Sequence, residues 1–212
     1  LDQPRGWQSL HVEITRMKVL QVCTGRAQAL RVDGREVLSA IVKAPVAGPV
    51  AVGPLGLEGD EQADLTVHGG LAKAVYAYPS EHLAFWQTVR AQAQVAPWGQ
   101  ALPAGAMGEN LLLQGLLERD LWVGDRLVIG HRGRAGRGCV LVVSEPRLPC
   151  FKFGATMGFA QAVKLMAQSG YCGSYLAVLE PGTVEAGDPI ELQPGPREVG
   201  IAELFRSRVG RG

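Results

Sequence analysis

Short apolar runs, each soon cut off by glycine or proline, recur along this sequence from end to end. A chain punctuated this way builds few long helices. Its 28 glycines and 13 prolines supply the turns that join short strands in barrels and sandwiches. Strand patterns fall at residues 17–23, 36–42, 49–57, 139–144, 175–179 and 189–192. The stretch 121–129 reads as a hairpin turning at Gly124-Asp125 through a tight II′ turn. Gly182 and Gly187 read as the turns joining the last strands. Two segments carry helical spacing. Ser80 is placed to cap a helix over 81–94, with Leu83, Trp86 and Val89 or Arg90 on one side. Phe159, Val163 and Met166 mark a second helix closed by Gly170, and residues 200–208 add a short basic one. The expectation is a mainly β protein with a few helices: a mostly antiparallel barrel over 17–193, then a short tail over 194–212. Residues 1–16 precede Met17 and lack an apolar h-region, so they form an N-terminal extension that is no secretory signal and need not be native.

Several function classes lose support at once. A formal charge of +1 gives no global field for nucleic acid or a membrane surface. No apolar run approaches the roughly 20 residues that span a bilayer. The four cysteines, at 23, 139, 150 and 172, form no C-x-x-C pair, which argues against zinc and against an iron–sulfur cluster. Without a signal peptide, reduced thiols and a cytoplasmic location are expected. The G-x-G-x-x-G, G-x-S-x-G and H-E-x-x-H patterns are missing, so a dinucleotide or flavin fold has no fingerprint here.

Four stretches carry chemistry. In Pro146-Arg-Leu-Pro-Cys-Phe-Lys152 the prolines deny the backbone regular ladder bonds, so the segment should leave its sheet. If the chain stays extended, Cys150 and Lys152 share a side. A thiol beside Arg147 and Lys152 sits in positive potential, which lowers its pKa and suits a soft metal ligand, a persulfide carrier or a nucleophile. A small buried hydrophobe at a strand end is the plainer alternative. The second stretch, Gly59 to Gly70, places Asp60, Asp64 and His68 four residues apart. Its glycines and Thr66-Val67 argue for a loop and a strand rather than a helical metal triad, and these side chains are as well suited to bonding neighbouring backbone. Third, Gly108-Glu109-Asn110 turns into an apolar strand, either at a cavity mouth or simply as a turn. Last, His131, Arg132, Arg134 and Arg137 among glycines form a basic hairpin tip, read as a solvated loop first and a phosphate or acidic-partner contact second.

Taken in order, these segments resemble the MOSC family, domains similar to the C-terminal part of molybdenum-cofactor sulfurases, and within it the stand-alone bacterial YiiM-type group. The matching stretches are Ser39-Ala-Ile-Val-Lys-Ala-Pro-Val46, Gly56-Leu-Glu-Gly-Asp-Glu-Gln-Ala-Asp64, His68-Gly-Gly70 and Val75-Tyr-Ala-Tyr-Pro-Ser-Glu-His82. They continue through Trp86, Gly108-Glu-Asn-Leu111, Val123-Gly-Asp125, Ser144 to Lys152, Gly173-Ser-Tyr175 and Ala186-Gly-Asp188. The resemblance implies a β-barrel-like fold and a cleft for a pterin-based molybdenum cofactor. It makes Cys150 the metal ligand or sulfur carrier. It makes Lys43, Arg147 and Lys152 partners of the cofactor's phosphate and pterin oxygens, and sets Asp60, His68, Glu109 and Asn110 around metal and substrate. Asp60, His68 and Asn110 thereby join Cys150 as catalytic candidates, and Glu109 joins the cofactor-binding set. The group's longer helical C-terminal extension has no counterpart after residues 200–208, which puts any docking role of that extension in doubt.

The function implied is a reductase of N-hydroxylated compounds such as hydroxylated purines or amidoximes. With neither flavin nor iron–sulfur cluster expected in the chain, electrons would come from external donor proteins. A persulfide sulfur carrier, with Cys150 as the loaded thiol, is the second reading, and a binding module without redox chemistry is the third.

Overall fold

A computed structural model describes residues 17–63, 69–130 and 138–210. The N-terminal half supplies strands β1 (Lys18–Thr24), β2 (Gln28–Val32), β3 (Arg35–Ser39), β4 (Ala44–Pro45), β5 (Val50–Gly53), β6 (Gly56–Leu57) and β7 (Val75–Pro79). Helix α1 (Leu83–Gln92) leads to β8 (Leu111–Gln114), β9 (Arg126–Ile129) and β10 (Gly138–Pro146). Two helices, α2 (Phe151–Met157) and α3 (Ala162–Ser169), precede β11 (Ser174–Val184) and β12 (Ile190–Gln193), and α4 (Ile201–Val209) follows.

The strands form a ten-stranded sheet with path β12-β9-β10-β11-β7-β8-β1-β4, while β5 pairs with β11 and β6. Pairing is antiparallel except between β7 and β8, where Ala77 lies opposite Leu111 in parallel register. The expectation of a mainly β, mostly antiparallel fold with a few helices is met. Closure is slighter than a full barrel. Strand β1, next to the β4 edge, meets the segment leading into β12 through one bridge, Lys18 to Pro189, supported by the Val19 N–H to the Asp188 carbonyl at 2.9 Å.

Alternation along the strands divides the interior into two cores. Val75 and Ala77 of β7, with Leu111 and Leu113 of β8, face a core inside the curved sheet. Tyr76, Tyr78 and Leu112 face the other way, onto a second core with Trp86, Phe153, Met166 and Phe205 from the four helices. Every residue of β7 is therefore buried, as expected for a strand covered on both faces. Trp86 is fully buried and its indole N–H donates to the Tyr78 hydroxyl at 2.6 Å, so its polar atom is satisfied inside the core.

Three sequence expectations are corrected, and one element was not foreseen. Residues 121–129 are no hairpin. Trp122 bridges Gly200, β9 pairs with β10 and β12, and the intervening turn carries its positive φ at Gly124, the third position. That is the signature of type II, whose twist does not return a strand on itself. Gly182 lies within β11, where a Cβ would meet the Gly138 carbonyl oxygen at 1.8 Å; close strand approach requires it, not a turn. Ser80 begins a 3₁₀ turn, Ser80–His82, and caps no helix. Lastly, β2 and β3 form a separate two-stranded hairpin around Asp33-Gly34, both at positive φ. Among the described residues no helix is long and apolar enough to cross a membrane.

Candidate active site: a cationic cleft around Cys150

At Pro146 the chain leaves β10 as its prolines dictate, and α2 starts at once with Cys150 as its N-cap. The extended alternation expected to align Cys150 with Lys152 does not occur. Phe153 and Met157, four residues apart and both buried, anchor a helical face in the outer core, and the Cys150 carbonyl accepts the Phe153 N–H at 3.1 Å. Lys152 instead reaches across the mouth of the cleft, donating from Nζ to the Leu38 carbonyl of the β2–β3 hairpin at 2.9 Å.

Cys150 is the one cysteine of the four that is not buried. Burial pushes the thiols of Cys23 and Cys139 up to about 12, and that of Cys172 well above its ordinary value. These three are inert, apolar-like side chains. Beside Cys150, Arg147 is only 3% exposed. Its Nη1 donates to the Met107 carbonyl at 2.6 Å and to the Tyr76 hydroxyl at 3.4 Å. The guanidinium lies 4.9 Å from the Tyr76 ring centre and 5.2 Å from that of Phe153. Burial opposes its charge, yet the Tyr76 and Tyr175 phenols and the Cys150 sulfur outweigh that and keep it protonated. Sulfur and guanidinium are thus electrostatically coupled, and the coupling acts both ways: it favours the thiolate as it favours the cation. Among the described residues no carboxylate lies at ion-pair distance from Arg147.

The opposite wall is neutralised. Lys43 and Asp60, whose side chains are 7% and 6% exposed, form an ion pair. Asp60 also accepts the Gly25 N–H at 2.8 Å and the Asn110 amide at 2.9 Å. Asn110 in turn accepts the Tyr76 N–H at 3.0 Å and donates to the Cys23 carbonyl at 3.2 Å, clipping β1 to β7. Its side chain holds the wall together. Glu109, expected beside the cofactor, is fully buried and does not line the cleft. Its oxygens accept the N–H groups of Gly105 at 2.6 Å and Met107 at 3.0 Å. Burial raises its pKa, against the pull of those bonds. It therefore fixes a turn whose glycines lie against the Ile41–Lys43 segment: a Cβ on Gly105 would stand 2.4 Å from the Lys43 carbonyl oxygen.

The structure thus brings Lys43, Asp60, Asn110, Arg147, Cys150 and Lys152 to one open cleft. Asp64, His68 and the basic tip with Arg132, Arg134 and Arg137 lie outside the described residues. Lining residues that the sequence did not single out include Lys73, Tyr76 and Tyr175. The tyrosines stand in stretches that carried the family resemblance, which was the available signal. Among the described residues no group of three or more His, Cys, Asp or Glu is placed to hold a metal ion.

The sequence model of the MOSC domain matches residues 64–191, the span containing Cys150, Arg147 and the β7–β11 framework. The chain belongs to the MOSC domain family. Over 92% of its length it is 36% identical to the uncharacterized protein YflK of Bacillus subtilis, of which it covers 80%. It is also 34% identical, over 90% of its length, to a protein of Gibberella moniliformis named a reductase, matching 32% of that longer protein. Among solved structures, YiiM from Geobacillus stearothermophilus superposes with a TM-score of 0.70 at 32% identity, covering 92% of this chain and 85% of that one. The sheet and helices are therefore those of a YiiM-like fold.

Proposed function

We propose that this MOSC protein binds a pterin-based molybdenum cofactor in the Cys150 cleft and reduces N-hydroxylated compounds with electrons from an external donor protein. The observation that carries the reading is the pairing of one accessible thiol with a buried guanidinium that meets no carboxylate at ion-pair distance among the described residues. A lone thiolate suits a metal that arrives already chelated, and a cationic lining suits the cofactor's phosphate. When bound, the cofactor supplies the two-electron chemistry by which oxygen leaves nitrogen, giving amine and water with two protons taken up.

The chain's own groups would do the rest. The Cys150 sulfur is the protein ligand, and Arg147 holds it as thiolate. Lys152, at the mouth, can leave the Leu38 carbonyl for an anionic group without breaking a core contact, because that bond is exposed. Lys43 is already matched by Asp60, so it offers N–H donors to a pterin oxygen more than net charge. The β2–β3 hairpin, continuing through Ser39 to Ile41, walls the cleft from water.

Gently prepared protein is expected to carry close to one molybdenum per chain, falling at least tenfold in a Cys150→Ala variant, read by elemental analysis. The same thiolate chemistry would serve a persulfide carrier. Persulfide on Cys150 after incubation with a cysteine desulfurase, with no molybdenum in any preparation, would replace the reductase reading with that one.

A further inference from the structure

The β2–β3 hairpin has two unlike faces. Ala29, Arg31, Glu36 and Leu38 are exposed, whereas Leu30, Val32 and Val37 are half-buried, so the second set is turned inward. Ser39, two residues beyond Val37, shares the inward face and ends β3 at the lining of the cleft, only 2% exposed. Its surroundings hold it in place. At the other foot of the hairpin the Ala27 N–H donates to Glu61 at 2.8 Å, and the Glu61 N–H donates to the Gly25 carbonyl at 2.9 Å. A Cβ on Gly25 would stand 2.2 Å from the Val42 carbonyl oxygen, so the two feet close on each other. Ala40 and Ile41 continue the wall, and Ile41 lies so near Gly108 that a Cβ there would stand 2.8 Å from its side chain. The result is a fixed, apolar stretch of wall with one hydroxyl in it.

That hydroxyl uses only part of its bonding capacity. Ser39 Oγ accepts the Ile41 N–H at 3.3 Å, and among the described residues no group accepts its proton. The neighbouring donors are spent on the protein itself. The Asn110 amide serves the Cys23 carbonyl and Asp60, Lys43 is paired with Asp60, and Arg147 is turned to the Met107 carbonyl. Buried hydroxyls seldom stay unserved, so the acceptor that Ser39 suits comes from outside the chain. A neutral donor exerts no long-range pull on a phosphate. It selects an oxygen presented at one point, which is how a few polar groups in an apolar wall orient a small ligand.

We infer that Ser39 binds the nitrogen-bound oxygen of the substrate, donating a hydrogen bond to it while Ala40 and Ile41 bear on the carbon skeleton. The inference rests on the reductase reading above. The bond orients and selects, and no proton is transferred through it. Once the oxygen has left, the product no longer offers Ser39 an acceptor, so it is held less well than the substrate. A bond kept from bound substrate to transition state shows in KM and leaves kcat nearly unchanged.

The test uses molybdenum-loaded protein, benzamidoxime as substrate, reduced methyl viologen as electron source, and benzamidine, the reduced product, as competing ligand. Ser39→Ala is expected to raise KM for benzamidoxime about tenfold, with kcat within about threefold of the parent. The inhibition constant of benzamidine should stay within about twofold, because that ligand lacks the oxygen. Molybdenum content, read by elemental analysis, should match the parent. Ser39→Thr keeps the donor and should hold both ligands as the parent does. Equal weakening of both ligands in Ser39→Ala overturns the inference, because it marks Ser39 as the acceptor that shapes the turn at Ile41. So does a KM within about twofold of the parent, or a loss of molybdenum, which assigns Ser39 to the cofactor instead. The same oxygen-selective loss in Ser39→Thr also overturns it. Each of these outcomes leaves the reductase reading intact, whereas no reduction by the loaded parent protein overturns both.

Discussion

Cys150→Ala is expected to remove benzamidoxime reduction, by at least about 10³-fold in kcat/KM, while the protein unfolds at nearly the parental denaturant concentration. The fold tolerates the change because Cys150 is half-exposed at a helix N-cap and makes no side-chain capping bond. Its loss creates no sealed cavity, so the stability cost should stay within about 1 kcal/mol. Activity and molybdenum should vanish together, because among the described residues no other cysteine is accessible to replace the ligand. Cys23, Cys139 and Cys172 are buried in the cores, and the described residues hold no alternative metal cluster. Measuring kcat/KM, metal content and urea midpoint on one preparation checks all three. Parental activity without the thiol would detach the chemistry from this residue.

Arg147→Met carries the second large effect, and it separates function from stability. The guanidinium is nearly fully buried with no carboxylate at ion-pair distance among the described residues, so its desolvation is offset by the Tyr76 and Tyr175 phenols and the Cys150 sulfur rather than by an ion pair. Methionine fills much of the same volume between Tyr76 and Phe153 without that penalty. Against this stands the lost bond to the Met107 carbonyl, worth on the order of 1–3 kcal/mol if the oxygen stays dry. The two effects nearly offset, and replacing buried charges by apolar residues is often neutral or stabilising. Arg147→Met is therefore expected to unfold within about 1 kcal/mol of the parent, yet to slow alkylation of Cys150 at pH 7 on the order of tenfold and to lose bound molybdenum. A variant that unfolds far more easily, with unchanged thiol reactivity, would make Arg147 a structural strut only.

Much of this was legible in the sequence, and the limits have physical causes. Proline at 146 and 149 foretold where β10 must end, and arginine beside cysteine foretold the electrostatic coupling. The Gly170 stop was legible because its cue is a single left-handed residue, found at φ 74. Helix α2 was not legible: seven residues with an internal glycine present too little periodicity. The burial of Arg147 depends on Met107 and Tyr76, which lie 40 and 71 positions away, and the Asn110 clip spans 87 positions to Cys23. No local pattern encodes such contacts. The parallel β7–β8 pair was hidden for the same reason, since 31 residues separate the strands. The Asp33-Gly34 hairpin is the opposite case. Its turn chemistry was present and overlooked, and the end of that hairpin, at Leu38 and Ser39, meets the cleft.

The central claim is that one sulfur of four is accessible and activated, and thiol labelling of the folded apoprotein tests it most directly. Iodoacetamide at pH 7, followed residue by residue in mass spectrometry, should modify Cys150 faster than an unstructured cysteine peptide. Cys23, Cys139 and Cys172 should stay unmodified until the protein is unfolded. Labelling of Cys150 no faster than the peptide, or no sooner than the other three, would contradict the account.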